Sequence, residues 1–369
     1  MSITRNAGGV FQADVVVLGG GVIGLACATA LARRGVETLL VSASEQGAAS
    51  PASAGILAPS VGRDRAAARA LGIAARDMYP EYVEALAVRT GIRVHLDRAG
   101  VLEVGFTPDE AAVLRSSMEA GSQWLDQVMV RKREPRLGEA TGGAFHPNDG
   151  AVDVPALLEA LRTEIEREPR ISVIDGRAIE IRTEGRPPVV ELEDGRRVRA
   201  DHVVVAAGAW VKAIRGLAYP PPVDPVRGQM LAFHGPGTRH VVMGPRGYVV
   251  PGGNRSLVGS TMEHVGFDAG TTADGAAFLR GVAIELLPSL RDRPVLAHWA
   301  GLRPVTPDLH PIVGFDRDCD RLLYACGHSK NGVLLAPLTG QVISELITGG
   351  AASIDIAPYA PGRFARSDR

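Results

Sequence analysis

Gly19, Gly21 and Gly24 stand at GxGxxG spacing between the apolar run Val15 to Leu18 and a helical run that opens with Val22 and Ile23. The chemistry available to such a turn is anion binding. Gly19 permits the tight turn, Gly21 lets backbone approach a pyrophosphate, and Gly24 lets the helix pack close to the strand. The helix N-terminus then offers unpaired N–H groups to the anion. Gly35 ends the helix, and Thr38 to Val41 supplies the second strand of a βαβ unit. This context favours a dinucleotide site over a plain βα turn. An acidic residue commonly ends the second strand about 20 residues beyond the glycines and takes the ribose hydroxyls. Here Ser42 holds that place and Glu45 follows. Either Ser42 makes a weaker hydrogen bond or Glu45 reaches back, and somewhat looser cofactor binding is expected.

The segment 44–60 is rich in small residues, among them Ser53, Ala54, Gly55 and Ile56. A flexible linker has the same composition. Directly after a dinucleotide-binding βαβ unit, small residues also let backbone lie against a flat ring, and that reading is preferred.

The elements that must position this turn belong to a chain of 369 residues, 46% apolar and 22% charged, long enough for about two domains. Net charge is −1, with 40 basic and 41 acidic side chains and no charge run, so nucleic acid is a poor partner. No apolar stretch reaches the ~18 residues needed to span a bilayer, and the N-terminal residues lack the h-region of a signal peptide. No membrane partner and a cytoplasmic protein are therefore expected. Cys27, Cys319 and Cys326 show no metal-ligand spacing, so no metal site is expected, and Cys27 and Cys326 read as buried small hydrophobes.

Helical spacing runs from Asp64 to Thr90, followed by strand-like pieces at Ile92 to Leu96 and Gly100 to Phe106 and a helix from Pro108 to about Ala120. Asp153 to Glu166 is a helix with an Asp-Val-Pro cap, and Ile171 to Ala200 reads as a small antiparallel meander turning at Glu193-Asp194-Gly195. Asp201 to Trp210 is a second fully apolar strand that ends in Ala207 and Gly208. From Pro220 to Arg303 the pattern alternates, as in Gln229 to Phe233, Tyr248 to Pro251 and Leu257 to Ser260, which predicts a half-exposed antiparallel sheet closed by a helix at Thr272 to Leu287. The end returns to βα style, with strand Leu322 to Cys326 and helix Asn331 to Ile347. The expected class is α/β: a Rossmann-like domain with a small meander (1–88, 143–220 and 302–369) and a substrate domain with a large antiparallel sheet and helices (89–142 and 221–301).

Six segments, in order, resemble the D-amino-acid oxidase superfamily of FAD-dependent amine oxidoreductases, and within it the glycine oxidases. They are GAVDVPALLEAL (Gly150 to Leu161), HVVVAAGAW (His202 to Trp210), PVRGQML (Pro225 to Leu231), VGSTMEHVGFD (Val258 to Asp268), WAGLRPVTPD (Trp299 to Asp308) and GHSKNGVLLAPLTG (Gly327 to Gly340). The resemblance implies FAD rather than NAD. It implies oxidation of a small amino acid to an imine, dioxygen as acceptor, hydrogen peroxide as product, a place in thiamine biosynthesis, and a homo-oligomer, by likeness a tetramer. D-amino-acid or sarcosine oxidases and dehydrogenases are the alternative. RNA modification, known for some relatives, is disfavoured by the near-zero net charge, and a flavin-holding scaffold by the presence of a carboxylate clamp.

By the same resemblance Arg303 anchors the substrate carboxylate, where a planar guanidinium can form a bidentate pair. Tyr248 contacts the same carboxylate, and Met262 is a pocket wall. Ala207, Gly208, Trp210 and Gly301 contact the cofactor, as do His328, Ser329, Lys330, Asn331, Gly332 and Val333 at a strand-to-helix junction whose dipole favours negative charge on the reduced ring. Lys330 stands where glycine oxidases usually carry arginine, and a lysine lacks the planar fork. His328 is read as structural rather than as a base. Related sarcosine oxidases attach flavin through a cysteine where this chain has Gly301, so non-covalent FAD is implied.

Overall fold

A computed structural model describes residues 10–62, 66–184, 187–235 and 237–364. Two eight-stranded sheets organise the chain. In the first, Val10–Leu18 lies between Thr38–Ser42 and Arg197–Val205, parallel to both, with Leu18 opposite Val41 and Val205. Leu322–Cys326 and Ile171–Asp175 extend it, also in parallel. Val15 to Leu18 are at most 1% exposed, as a strand covered on both faces requires. Helices Val22–Arg33, Val154–Arg167 and Gly332–Gly349 cover one face.

The expected meander is shorter than the pattern suggested. Ile171–Asp175 leaves it to pair with Thr38–Ser42, and the antiparallel part is Ala178–Arg182, Val189–Leu192 and the start of Arg197–Val205. That last strand does not break at Asp201: its first residues serve the meander and its last ones the parallel sheet. Trp210 lies beyond it, in a short 3-10 turn over Gly208–Ala213.

The second sheet runs Val295–Val305, Asp224–His234, Arg255–Gly259, Tyr248–Pro251, Val241–Met243, Val101–Gly105, Gly142–His146 and Gln123–Asp126. It is antiparallel except where Val241–Met243 meets Val101–Gly105. The middle strands of the expected half-exposed sheet are covered on both faces, while its edge strands remain partly exposed. Leu102, Leu231, Val242 and Val249 pack under helix Ala273–Leu286, while their neighbours Val101, Met230, Val241 and Val250 pack on the opposite side. The expected boundaries at 143 and 302 fall inside strands of this sheet.

The helical run ending at Thr90 is two helices, Ala66–Asp77 and Tyr79–Thr90, and its expected start at Asp64 lies outside the described residues. Pro80, in the first turn of the second helix, accounts for a break there. The strand expected from Ile92 shrinks to Leu96–Asp97. The helix from Pro108 stops at Ser116, four residues early, where Ser117 bonds back to Val113 and Leu114.

The helical segment Ser329–Gly349, 21 residues long with mean hydropathy 1.2 over an 18-residue window, is long and apolar enough to cross a membrane, although polar residues interrupt its apolar runs. Its window is 72% buried inside the fold, so it is a core helix here. Pro337 sits within it and cannot donate to the Val333 carbonyl one turn earlier. The hydroxyl of Tyr79, 1% exposed, donates to that carbonyl instead. Tyr79→Phe should therefore cost about 1–3 kcal/mol in chemical denaturation, because it orphans a buried acceptor at the helix that closes the cofactor site.

Candidate functional site

A cleft of about 1070 Å³ connects the glycine turn to Arg303. Bare backbone makes its first end. Gly19 has φ 122°, and a Cβ there would lie 2.3 Å from the Ala206 carbonyl oxygen. A Cβ on Gly20 would meet Ser42 Oγ at 2.0 Å, while one on Gly21 would meet only Ser50 Oγ, at 3.2 Å. Gly19, Gly21, Val22 and Ile23 line the cleft. Gly24 does not: it lies beneath, where a Cβ would fall 1.8 Å from the Gly19 carbonyl oxygen. Ser50 Oγ accepts the first helical N–H, from Val22, at 2.9 Å. Ser42 and Glu45 both border the cleft, but Glu45 is held at 2.9 Å by Arg177, which borders it too.

The segment 44–60 is fixed rather than a free linker. Leu302 N–H donates to the Gly47 carbonyl at 2.8 Å, Trp299 Nε1 donates to the Ala52 carbonyl at 3.2 Å, and Ile56–Leu57 pairs with Gly150 and Ala151. Gly301 packs against this segment, with Ala52 Cβ 2.5 Å from where its own Cβ would be. Ser53, Ala54, Gly55 and Ile56 form one wall, and Ala207, Gly208, Trp210 and Gly301 also line the cleft. Glycine turn, small-residue wall and volume together fit FAD: a cleft at the upper end of the range for cofactor sites, with side chains absent where a pyrophosphate would approach.

At the other end Arg303 lies on strand Val295–Val305, opposite Val226. Its guanidinium folds flat over Gly228, where a Cβ would come within 2.2 Å of both terminal nitrogens. Nη1 donates to the Thr261 carbonyl at 3.0 Å and Nη2 to Ser260 Oγ at 2.7 Å. Among the described residues no carboxylate pairs with it. Burial lowers its proton affinity and Tyr248 opposes that shift, yet a guanidinium stays charged. Tyr248 Oη lies over Gly259, which has no side chain to meet it, and 3.8 Å from Met230 Sδ. Burial pushes the phenol up, so it is a neutral donor. Two glycines on neighbouring strands thus leave bare floor beneath the clamp. Met262, 60% exposed, stands at the mouth rather than forming a closed wall. Buried Met230 and half-buried Met243 line the cleft as well.

Between these ends Leu322–Cys326 leads through Gly327 (φ 69°) and Ser329 (φ 51°) into helix Gly332–Gly349. Asn331 provides no side-chain cap, so nothing from that residue covers the first-turn N–H groups. His328, Ser329, Lys330, Asn331, Gly332 and Val333 all line the cleft there. His328 is 3% exposed, with Nε2 3.0 Å from Thr339 Oγ1, and burial pushes its pKa down to about 3. It is a neutral structural histidine. Lys330 is exposed. Cys326 borders the cleft as well, a contact its apolar strand did not suggest, and burial pushes its thiol up to about 12.

Sequence reasoning overlooked Gly228, Ser260, Thr261, Met230 and Met243 as parts of the site. All but Met243 lie in a quoted segment, but only strand pairing shows which of them meet Arg303 and Tyr248.

Residues 14–346 match the family model described as FAD dependent oxidoreductase (DAO). The chain is 37% identical, over 95% of its length, to the bifunctional protein ThiO/ThiG of Synechocystis sp., and spans about half of that relative, 54%. It is 35% identical to the glycine oxidase of Pseudomonas putida, covering 94% of this chain and 98% of the other. The crystal structure of glycine oxidase from Geobacillus kaustophilus matches with a TM-score of 0.90 at 30% identity, over 95% of this chain and 99% of that one. The glycine turn, the cleft and these matches lead to one assignment: this chain belongs to the DAO family of FAD dependent oxidoreductases, enzymes whose cofactor is FAD.

Proposed function

We propose that this enzyme oxidises glycine, with sarcosine and small D-amino acids as lesser substrates, to an imine that hydrolyses to glyoxylate, while dioxygen is reduced to hydrogen peroxide. One observation carries the reading. Arg303 is a partly buried cation without a carboxylate partner among the described residues, in the same cleft as the glycine turn. Such a charge is costly unless a ligand pairs it, and an amino acid's carboxylate is the matching anion.

Bound FAD supplies the two-electron acceptor and its reoxidation by dioxygen. The chain's own residues supply position. Arg303 retains N–H donors beyond the two already used and can take both oxygens of a carboxylate. The neutral Tyr248 hydroxyl adds a further donor. Met230, whose Sδ lies 3.8 Å from the Tyr248 hydroxyl, takes up space beside the clamp, which favours a substrate without a large side chain. The helix beginning at Gly332 would favour negative charge on a ring bound at its N-terminus. Oxidation of a neutral amine requires no dedicated base, and His328, bonded to Thr339, is not offered as one.

A role in thiamine biosynthesis is proposed with this activity, as are a cytoplasmic location and a homotetramer. A D-amino-acid or sarcosine oxidase or dehydrogenase is the second reading, favoured by the exposed Met262 at the mouth, which leaves room for a longer substrate. Anaerobic titration of the yellow enzyme with glycine, sarcosine, D-alanine and D-proline, followed by peroxide measurement in air, tests both. Glycine should bleach the oxidised flavin at the lowest concentration. Bleaching by the larger amino acids alone would transfer the assignment to the second reading.

FAD is proposed to be held without a covalent bond, since Gly301 offers no nucleophile and the Cys326 thiol is kept protonated by burial. Acid precipitation should release all the yellow colour into the supernatant. Flavin remaining in the pellet would contradict this.

A further inference from the structure

The adenosine ribose of FAD presents two hydroxyl donors, and behind a glycine turn an acid at the end of the second strand commonly takes them. Here Ser42 ends that strand. Its side chain is short and turned towards the glycine turn, with Oγ 2.0 Å from where a Cβ on Gly20 would lie. A carboxylate can accept from both hydroxyls, and hydrogen bonds to a charged acceptor are the stronger ones. Of the described residues that line the cleft, only Glu45 and Asp308 are acids. Arg363 holds Asp308 by both oxygens, at 2.8 and 3.2 Å, and the His310 N–H donates to one of them at 3.1 Å. Glu45 remains.

Ligands of an open α/β sheet lie beyond the carboxyl ends of its strands. Leu18, which leads into the glycine turn, pairs with Val41, and Ser42 pairs with Asp175 at the end of the next strand. Glu45 follows Ser42 by three residues, and Arg177 follows Asp175 by two. The Gly176 N–H donates to the Ser42 carbonyl at 3.0 Å, and the Ala48 N–H to the Glu45 carbonyl at 3.2 Å. Backbone thus roots both residues beside the strand ends, where Arg177 Nη2 donates to Glu45 Oε2 at 2.9 Å. Among the described residues nothing donates to Glu45 Oε1. As a stability device the pair is weak: the Arg177 side chain is 40% exposed, and so open an ion pair contributes little.

We infer that Glu45 replaces the missing strand-end acid and accepts the ribose hydroxyls of FAD, with Arg177 as the positioning residue that holds its carboxylate at the cleft. The ion pair leaves Oε1 and one lone pair of Oε2 for the ribose. Fixing this long side chain before the cofactor arrives removes part of the ordering cost of binding. The inference is independent of which amine the enzyme oxidises.

The test compares FAD with an FAD analogue whose adenosine ribose lacks both hydroxyls, exchanged into the loaded enzyme. Each preparation is diluted and ultrafiltered, and the flavin retained with the protein gives the dissociation constant without turnover. Wild type should hold FAD about tenfold or more tighter than the analogue, as bonds to a charged acceptor commonly provide. Glu45→Ala should weaken FAD by a similar factor and leave the analogue nearly unchanged, so that the preference falls to within about threefold. A merely structural glutamate would weaken both ligands alike. Ser42→Ala should keep the tenfold preference. Arg177→Met should lower the preference by about threefold through FAD alone, and Arg177→Lys should restore part of it. Equal binding of the two ligands by wild type, a full preference in Glu45→Ala, or its loss in Ser42→Ala would overturn the inference. Equal weakening of both ligands in Arg177→Met would overturn the positioning role. If Glu45→Ala does not fold, wild type and Ser42→Ala still decide.

Discussion

Arg303→Ala is expected to raise KM for glycine steeply, with a smaller change in kcat, in a protein that still purifies yellow. Truncating one partner of a buried, hydrogen-bonded charge pair costs about 2–5 kcal/mol, or roughly 30-fold to several thousandfold in kcat/KM. The loss falls mainly on KM because the carboxylate does not react: its pairing is made alike in ground and transition states. The fold should survive. The guanidinium lies on the cleft side of Gly228, and the Thr261 carbonyl and Ser260 hydroxyl it leaves behind can be reached by water. Arg303→Lys should fall between wild type and Ala, since it restores charge without the planar fork. Steady-state kinetics with glycine, alongside the flavin content of each preparation, makes the measurement. Unchanged saturation in the alanine variant would refute the anchor.

Sequence legibility followed the physics of each region. Val15 to Leu18 and the helix after Gly21 are buried on all sides by their own sheet and neighbouring helices, so their composition alone announces them. Arg197–Val205 was harder, because its first half alternates like a surface strand and its second half is continuously apolar. One strand with two different neighbours therefore read as two elements. The second sheet was legible as strands but not as a doubly covered layer: Gly142–His146 and Val101–Gly105 join it from far away in the chain, and long-range pairing leaves no local mark. The same limit applied at the site. Arg303 and Tyr248 could be named from their segments. The bare floor under them depends on Gly228 and Gly259, whose purpose appears only when the strands lie side by side.

Gly24→Val is the stronger disruption, and it acts on the fold and the cofactor together. Gly24 is the third residue of helix Val22–Arg33, facing back on the strand-to-helix turn, and a Cβ there would stand 1.8 Å from Gly19 O and 2.9 Å from Gly19 C. That is roughly 1.5 Å short of ordinary contact, and the obstacle is backbone, which cannot rotate out of the way. The helix must lift off the strand. Ten of its twelve residues are buried, so the displacement disturbs packing along its whole length. Overpacking of this kind costs about 1–3 kcal/mol or more, or roughly 5 °C in Tm for a chain of this size. The anion site suffers separately, because the N–H groups of the first turn move with the helix. Purified Gly24→Val should therefore be colourless or carry well under one flavin per chain, and added FAD should fail to restore its melting temperature. Gly349→Ala is the matched control, since a Cβ there meets nothing within 4 Å, and it should keep both colour and stability. If Gly24→Val retained a full complement of FAD, the close approach of helix to strand would not be what holds the pyrophosphate, and the role assigned to the glycine turn would fail with it.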